Sequence, residues 1–165
     1  PDAVAIAGED VFQRVKQMAE TADEADKRFI VLNTDWPGQQ VIDLDGIEIT
    51  ALRTRHGGRR NYGLDHYAYI VSPGGYTILH MGDVELVEKN FEAYQLVERK
   101  IDIACLPYWM LITEEGRQII TEYIQPKHIV AIHVAPGMKD DVQVAIEPHF
   151  PDAIIFGQSL ETHHY

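Results

Sequence analysis

With 165 residues, 45% of them hydrophobic and 24% charged, the chain has the size and composition of one globular domain, and disorder as the main state is excluded. A net charge of −12 opposes any general electrostatic grip on nucleic acid. No run approaches the ~18 consecutive apolar residues of a membrane span, and the sole cysteine, Cys105, lies in the apolar run Ile103-Ala104-Cys105-Leu106, so a reducing, cytoplasmic setting is expected.

Val4 to Ala7 reads as a short buried strand. Val11, Val15, Met18 and Ala22 then recur at helical spacing behind Asp10, a candidate N-cap. Phe29 to Leu32 is another brief strand, broken by Trp36-Pro37-Gly38. Period-two alternation follows in Val41 to Leu44 and Ile47 to Leu52 around Asp45-Gly46, the residue pair of a tight hairpin turn. Tyr67 to Val71 and Tyr76 to Leu79 flank Pro73-Gly74-Gly75 in the same way. Beyond Asp83 the chain changes to helices alternating with buried strands: a helix through Val87, Phe91 and Tyr94 to about Arg99, then a strand Ile101 to Leu106 stopped by Pro107. A helix capped by Thr113 and ended by Pro126 comes next, followed by a strand Ile129 to Val134, a helix near Asp140 to Glu147 and a strand Ala153 to Phe156. Hairpins followed by β-α-β units predict an α/β fold with a mixed sheet and helices on its outer faces.

Strand direction turns this order into a site. The strand Ile47 to Arg53 runs toward His56, the next returns, and Tyr76 to Leu79 runs forward toward Asp83. β-α-β crossovers then send each later strand forward, so the ends at Leu106 and His133 fall at the same sheet edge, where open sheets place ligands. His56, Asp83 and His133 are therefore expected to converge with the Pro107-Tyr108-Trp109 loop. Two imidazoles and a carboxylate suit a borderline cation such as zinc. Other roles stay open for each group: a surface histidine, or an Asp83 that caps the following helix. His66 starts a returning strand at that edge and is the runner-up ligand. His80 is read either as orienting a ligating carboxylate or as strand packing. Arg55, Arg59 and Arg60 surround Gly57-Gly58 in an acidic chain and are read either as holding an anionic substrate group or as a solvated loop whose arginines pair with nearby acids. Tyr108 and Trp109 are candidate pocket walls, with core packing as the alternative.

The segment Thr77-Ile78-Leu79-His80-Met81-Gly82-Asp83, with Thr54-Arg55-His56 before it and Pro126-Lys127-His128 leading to Ile129-Val130-Ala131-Ile132-His133 after it, resembles the metallo-β-lactamase-fold hydrolases. The likeness covers about Val41 to Ala135 and is nearest to the cytoplasmic lactonase-like branch. It implies an αββα sandwich, of which residues 1–165 form a single, N-terminally truncated domain. It also implies a metal-dependent hydrolase of a small lactone, ester or phosphoester, using one or two zinc ions, with manganese or iron as alternatives. In that resemblance His56 completes the first metal position, Asp83 bridges two metals and is catalytic, and His133 binds the second. The family's His-x-His-x-Asp-His pattern appears nowhere in the chain. Because the first residue is Pro1, a missing upstream segment is expected to supply it. A parent that never had the pattern would instead be a catalytically inactive interaction or scaffold domain. Oligomeric state is not readable from the sequence.

Overall fold

The structure, a computed structural model, describes residues 3–18, 27–61, 63–158 and 161–163, with the backbone alone at position 59. Its largest feature is a seven-stranded mixed sheet whose spatial order follows the chain: β3 (Gly38–Leu44), β4 (Ile47–Thr54), β5 (His66–Ser72), β6 (Ile78–His80), β7 (Ile103–Pro107), β8 (His128–Ile132) and β9 (Ile154–Ile155). The pairs from β3 to β6 are antiparallel and those from β6 to β9 parallel, as hairpins followed by β-α-β crossovers require. Asp45 and Gly46 both take positive φ, 52° and 84°, which is the twist a two-residue hairpin needs, and Asp43 Oδ1 accepts a hydrogen bond from Gly46 N at 3.1 Å.

A smaller parallel pair, β1 (Ala5–Gly8) and β2 (Phe29–Leu32), connected through α1 (Glu9–Met18), covers part of the other face. Helix α1 begins one residue before Asp10, which therefore lies in the first turn, where a carboxylate complements the helix dipole. Its expected continuation to Ala22 lies outside the described residues. Tyr69 reaches from β5 to donate to the Ile6 carbonyl, and the Tyr67 hydroxyl accepts from Thr34 N. Leu32, Ile42, Ala51 and Tyr67 are buried between the two sheets.

The opposite face of the large sheet carries the main core, in which Leu52, Leu79, Phe91, Leu106, Met110 and Ile146 are fully buried. Burial of each such side chain contributes ~1.5–3 kcal/mol. Alternation explains why Thr50, Ala51 and Leu52 of β4 are buried in succession: Leu52 faces one core and Ala51 the other. The mixed sheet with helices is thus present, and the second sheet is represented by β1 and β2.

Helical boundaries differ from the periodic reading in two places. The stretch expected as one helix to Arg99 is α2 (Lys89–Glu92) and a 3-10 turn, Leu96–Arg99, interrupted where Gln95 takes φ 49°. The Pro107-Tyr108-Trp109 segment is not a loop: Pro107 ends β7, and α3 (Tyr108–Ile112) starts at once, burying Met110 and Leu111. Thr113 caps α4 (Glu114–Ile119) as expected, its hydroxyl accepting from Gly116 N. A π-helical turn, Ile120–Ile124, follows, and α5 (Lys139–Ile146) precedes β9. No helix among the described residues is long and apolar enough to cross a membrane.

Candidate metal centre

Four strand ends build the site. β4 and β6 run in the same direction, and the segments beyond them are tied by an antiparallel bridge between His56 and Val84. Gly57 N donates to the Asp83 carbonyl at 2.6 Å and Glu85 N to the Arg55 carbonyl at 2.9 Å, which fixes His56 beside Asp83. Asp83 is not a helix cap, since α2 begins six residues later. β8 delivers His133, whose φ of 61° is unusual for a non-glycine residue and is the kind of backbone strain found at functional positions.

His56 Nε2 stands 3.4 Å from Asp83 Oδ2, and His133 Nε2 stands 3.1 Å from Asp83 Oδ1. The three expected ligands therefore meet, with one imidazole on each carboxylate oxygen. Each side chain remains partly open to solvent. His56 Nδ1 lies 2.6 Å from the Gly57 carbonyl and 3.2 Å from Asn61 Nδ2; the tautomer that donates to the carbonyl is the one that leaves Nε2 free to bind a cation on the carboxylate side. Asn61 reinforces the arrangement by donating to the same carbonyl. A nitrogen lone pair facing a carboxylate oxygen is repulsive unless a proton or a metal cation lies between them. Two donors each ~2.1 Å from a tetrahedral zinc stand ~3.4 Å apart, so the observed separations fit a shared cation. The number of donors does not reach a full set: each oxygen of Asp83 has one imidazole, and among the described residues no group of three or more His, Cys, Asp or Glu is arranged to hold an ion by itself.

His66 lies beside this group. Its ring is edge-on to His56 with centroids 5.3 Å apart, and its Nδ1 is 2.6 Å from the hydroxyl of buried Thr54, its register partner across β4 and β5. Burial and the adjacent His56 imidazole hold its pKa down to about 4, so it is neutral at physiological pH. Gly82 is required here, because its φ is +59° and a Cβ would stand 2.9 Å from His66 Nε2. His80 accepts a hydrogen bond from Gly82 N at its Nδ1 rather than donating to Asp83, and burial followed by the proximity of His133 lowers its pKa. Trp109 packs on His133, ring centroids 5.3 Å apart, and Tyr108 packs edge-on against Trp109.

The arginines separate. Arg55 stacks on Trp36, its Cζ 3.7 Å from the ring centroid, and Arg60 is exposed on the 3-10 turn Arg59–Asn61. The Arg59 side chain lies outside the described residues. Thr54 and Asn61 were not read as site residues, although the hairpin register that pairs Thr54 with His66 carries the signal for the first. Trp109 stacking and the Asn61 contact arise from tertiary packing, which no local pattern encodes.

No protein-family model matches the chain, and no curated protein matches it. Among solved structures, it is similar to the metallo-β-lactamase fold protein YhfI from Bacillus subtilis, with a TM-score of 0.60 and 14% identity over 93% of this chain and 61% of that one. It is also similar to Igni18 from Ignicoccus hospitalis, with a TM-score of 0.58 and 16% identity over 94% of this chain and 65% of that one. The chain spans less than two thirds of the length of either structure. Its mixed sheet, its helices and this likeness together show that the chain has the metallo-β-lactamase fold.

Proposed function

We propose that the chain is part of a metal-dependent hydrolase in which His56 and His133 hold two cation positions bridged by Asp83. The observation that carries this reading is the pair of imidazole nitrogens facing the two oxygens of one carboxylate. Igni18, of similar fold, is described as a metallo hydrolase, which supports the same class. Nitrogen and oxygen donors in this mixture suit zinc, with manganese or iron as alternatives. A bound divalent cation brings the pKa of a coordinated water to ~7 and polarises the scissile bond of a lactone, ester or phosphoester. The chain's own part is orientation. Gly57 and Asn61 set the His56 ring, Trp109 packs on that of His133, and the His56–Val84 bridge keeps Asp83 between them. Arg60, exposed on the turn after Gly57-Gly58, faces solvent where an anionic substrate arrives, and Arg59 follows the same reading from sequence. Among the described residues each position has one imidazole and a shared carboxylate, so further ligands complete it.

The test is hydrolysis of a panel of lactones, carboxylic esters and phosphodiesters by the full-length protein, before and after chelation and after zinc return. Activity lost on chelation and restored by metal is the expected result. Full activity in the chelated protein, or none on any substrate with metal restored, contradicts the reading.

A further inference from the structure

Trp36, Arg55, Lys89 and Asn90 form a second polar cluster, outside the group around Asp83. Asn90 is fully buried and its amide is satisfied on every side: Oδ1 accepts from the Trp36 indole N–H at 2.8 Å and from Arg55 N at 2.9 Å, while Nδ2 donates to the carbonyls of Glu85 and Arg55. The indole is thereby fixed in place. Two cations rest on it, Arg55 with Cζ at 3.7 Å and Lys89 with Nζ at 4.3 Å from the ring centroid. They can be no farther apart than those two distances laid end to end. Both side chains are exposed, and among the described residues neither makes a salt bridge to a carboxylate. Glu88, the sequence neighbour of Lys89, is engaged by the Tyr123 hydroxyl instead. In a chain of net charge −12, one ring thus gathers two positive groups.

We infer that Arg55 and Lys89, held on the Trp36 ring, form a binding site for a phosphoryl dianion. A guanidinium stacked by its face keeps its N–H fork free at the edge, and that fork matches the spacing of phosphate oxygens. Lys89 supplies a second unit of charge, so the pair compensates a phosphate group of charge about −1.5 to −2 better than a carboxylate of charge −1. Placement on a ring fixed by Asn90 reduces the side-chain entropy lost on binding. This site is independent of the metal reading, since none of its groups is among the proposed ligands.

The experiment titrates chelator-treated protein with inorganic phosphate and, separately, with glycerol 1-phosphate at constant ionic strength. The two indole N–H signals, of Trp36 and Trp109, are followed by 1H–15N NMR and assigned with Trp109→Phe. A saturable shift of the Trp36 signal is expected, with acetate binding more weakly. Arg55→Gln is expected to weaken phosphate by ~10-fold and Lys89→Gln by ~3-fold, the scale of exposed charge-assisted contacts. Tighter binding of glycerol 1-phosphate assigns the site to a phosphoryl group of a larger molecule, and equal or weaker binding assigns it to the free anion. A Trp36 signal unmoved by either probe, a shift undiminished in Lys89→Gln and Arg55→Gln, or acetate matching phosphate overturns the inference. Repeating the titration in Asp83→Ala leaves it unchanged if the site is separate from the metal positions.

Discussion

Asp83 and Asp102 stand at opposite ends of adjacent parallel strands and differ in what faces them. Asp102, just before β7, accepts from Thr77 N at 2.8 Å through one oxygen and from Lys127 Nζ at 2.6 Å through the other. Both partners carry protons, and the Lys127 hydrogen bond, with that from Thr77, holds the carboxyl below its ordinary range. Asp83, just after β6, has an imidazole nitrogen at each oxygen, His56 Nε2 at 3.4 Å and His133 Nε2 at 3.1 Å. One carboxylate faces an ammonium and a backbone N–H, and the other faces two imidazoles. A cavity of about 430 Å³, lined in part by His128, His149 and Phe150, lies at the Asp102 end. A second cavity, of about 400 Å³ and lined in part by Val134, Pro136, Lys139 and Phe156, follows His133 beyond the other end of β8.

The largest expected effect tests that contrast directly. In the full-length protein, Asp83→Ala should remove bound metal and lower turnover by more than ~100-fold, beyond the ~10–100-fold seen when only an outer partner of a ligand is lost. Asp102→Ala should leave metal content and turnover unchanged and lower the urea midpoint. Elemental analysis, steady-state kinetics and urea unfolding of both variants separate the roles, and equal loss of metal in the two would break the comparison. Next in size is Gly82→Ala, which places a Cβ against His66 at a positive φ and should cost ~1–3 kcal/mol in urea unfolding. Trp109→Ala should then weaken metal binding by ~10-fold through a freed His133 ring, measured by competition with a chelator.

The smallest effects concern pH, and the two ends should lose stability in different windows. His66 takes no proton in the folded state until about pH 4, whereas the unfolded chain takes one near 6.5. Its contribution is thus present above pH 6.5 and is lost as pH falls from 6.5 to about 4. Asp102 has a depressed folded pKa, so its contribution is present above the ordinary value of 3.8 and is lost only as pH falls below that range. Urea midpoints of His66→Gln and Asp102→Asn across pH 3 to 8, relative to the parent chain, should flatten the upper and lower parts of the acid limb respectively.

How much of this was legible in the sequence follows from which interactions are local. The hairpins were readable from alternation and Asp45-Gly46, and the meeting of His56, Asp83 and His133 followed from strand directions alone. Helix α3 was not, because Tyr108 to Ile112 is apolar throughout and begins on Pro107 without a capping side chain. The break at Gln95 carries no glycine to announce its positive φ. Arg55 was read as a loop cation near His56, whereas its side chain lies on Trp36, nineteen residues earlier, through a contact organised by Asn90 thirty-five residues later. Such long-range packing leaves no periodic trace.

The central claim is that Asp83 joins two cation positions, one at His56 and one at His133. Its most direct measurement is long-range 1H–15N NMR of the histidine rings above pH 7 during a zinc titration of this chain and of Asp83→Ala. The account predicts an unprotonated Nε2 in His56, and Nε2 shifts in His56 and His133 that move together, at low affinity, and vanish in Asp83→Ala. Zinc shifts confined to other histidines such as His128, His149 and His163, or His56 and His133 shifts that persist without Asp83, would contradict it.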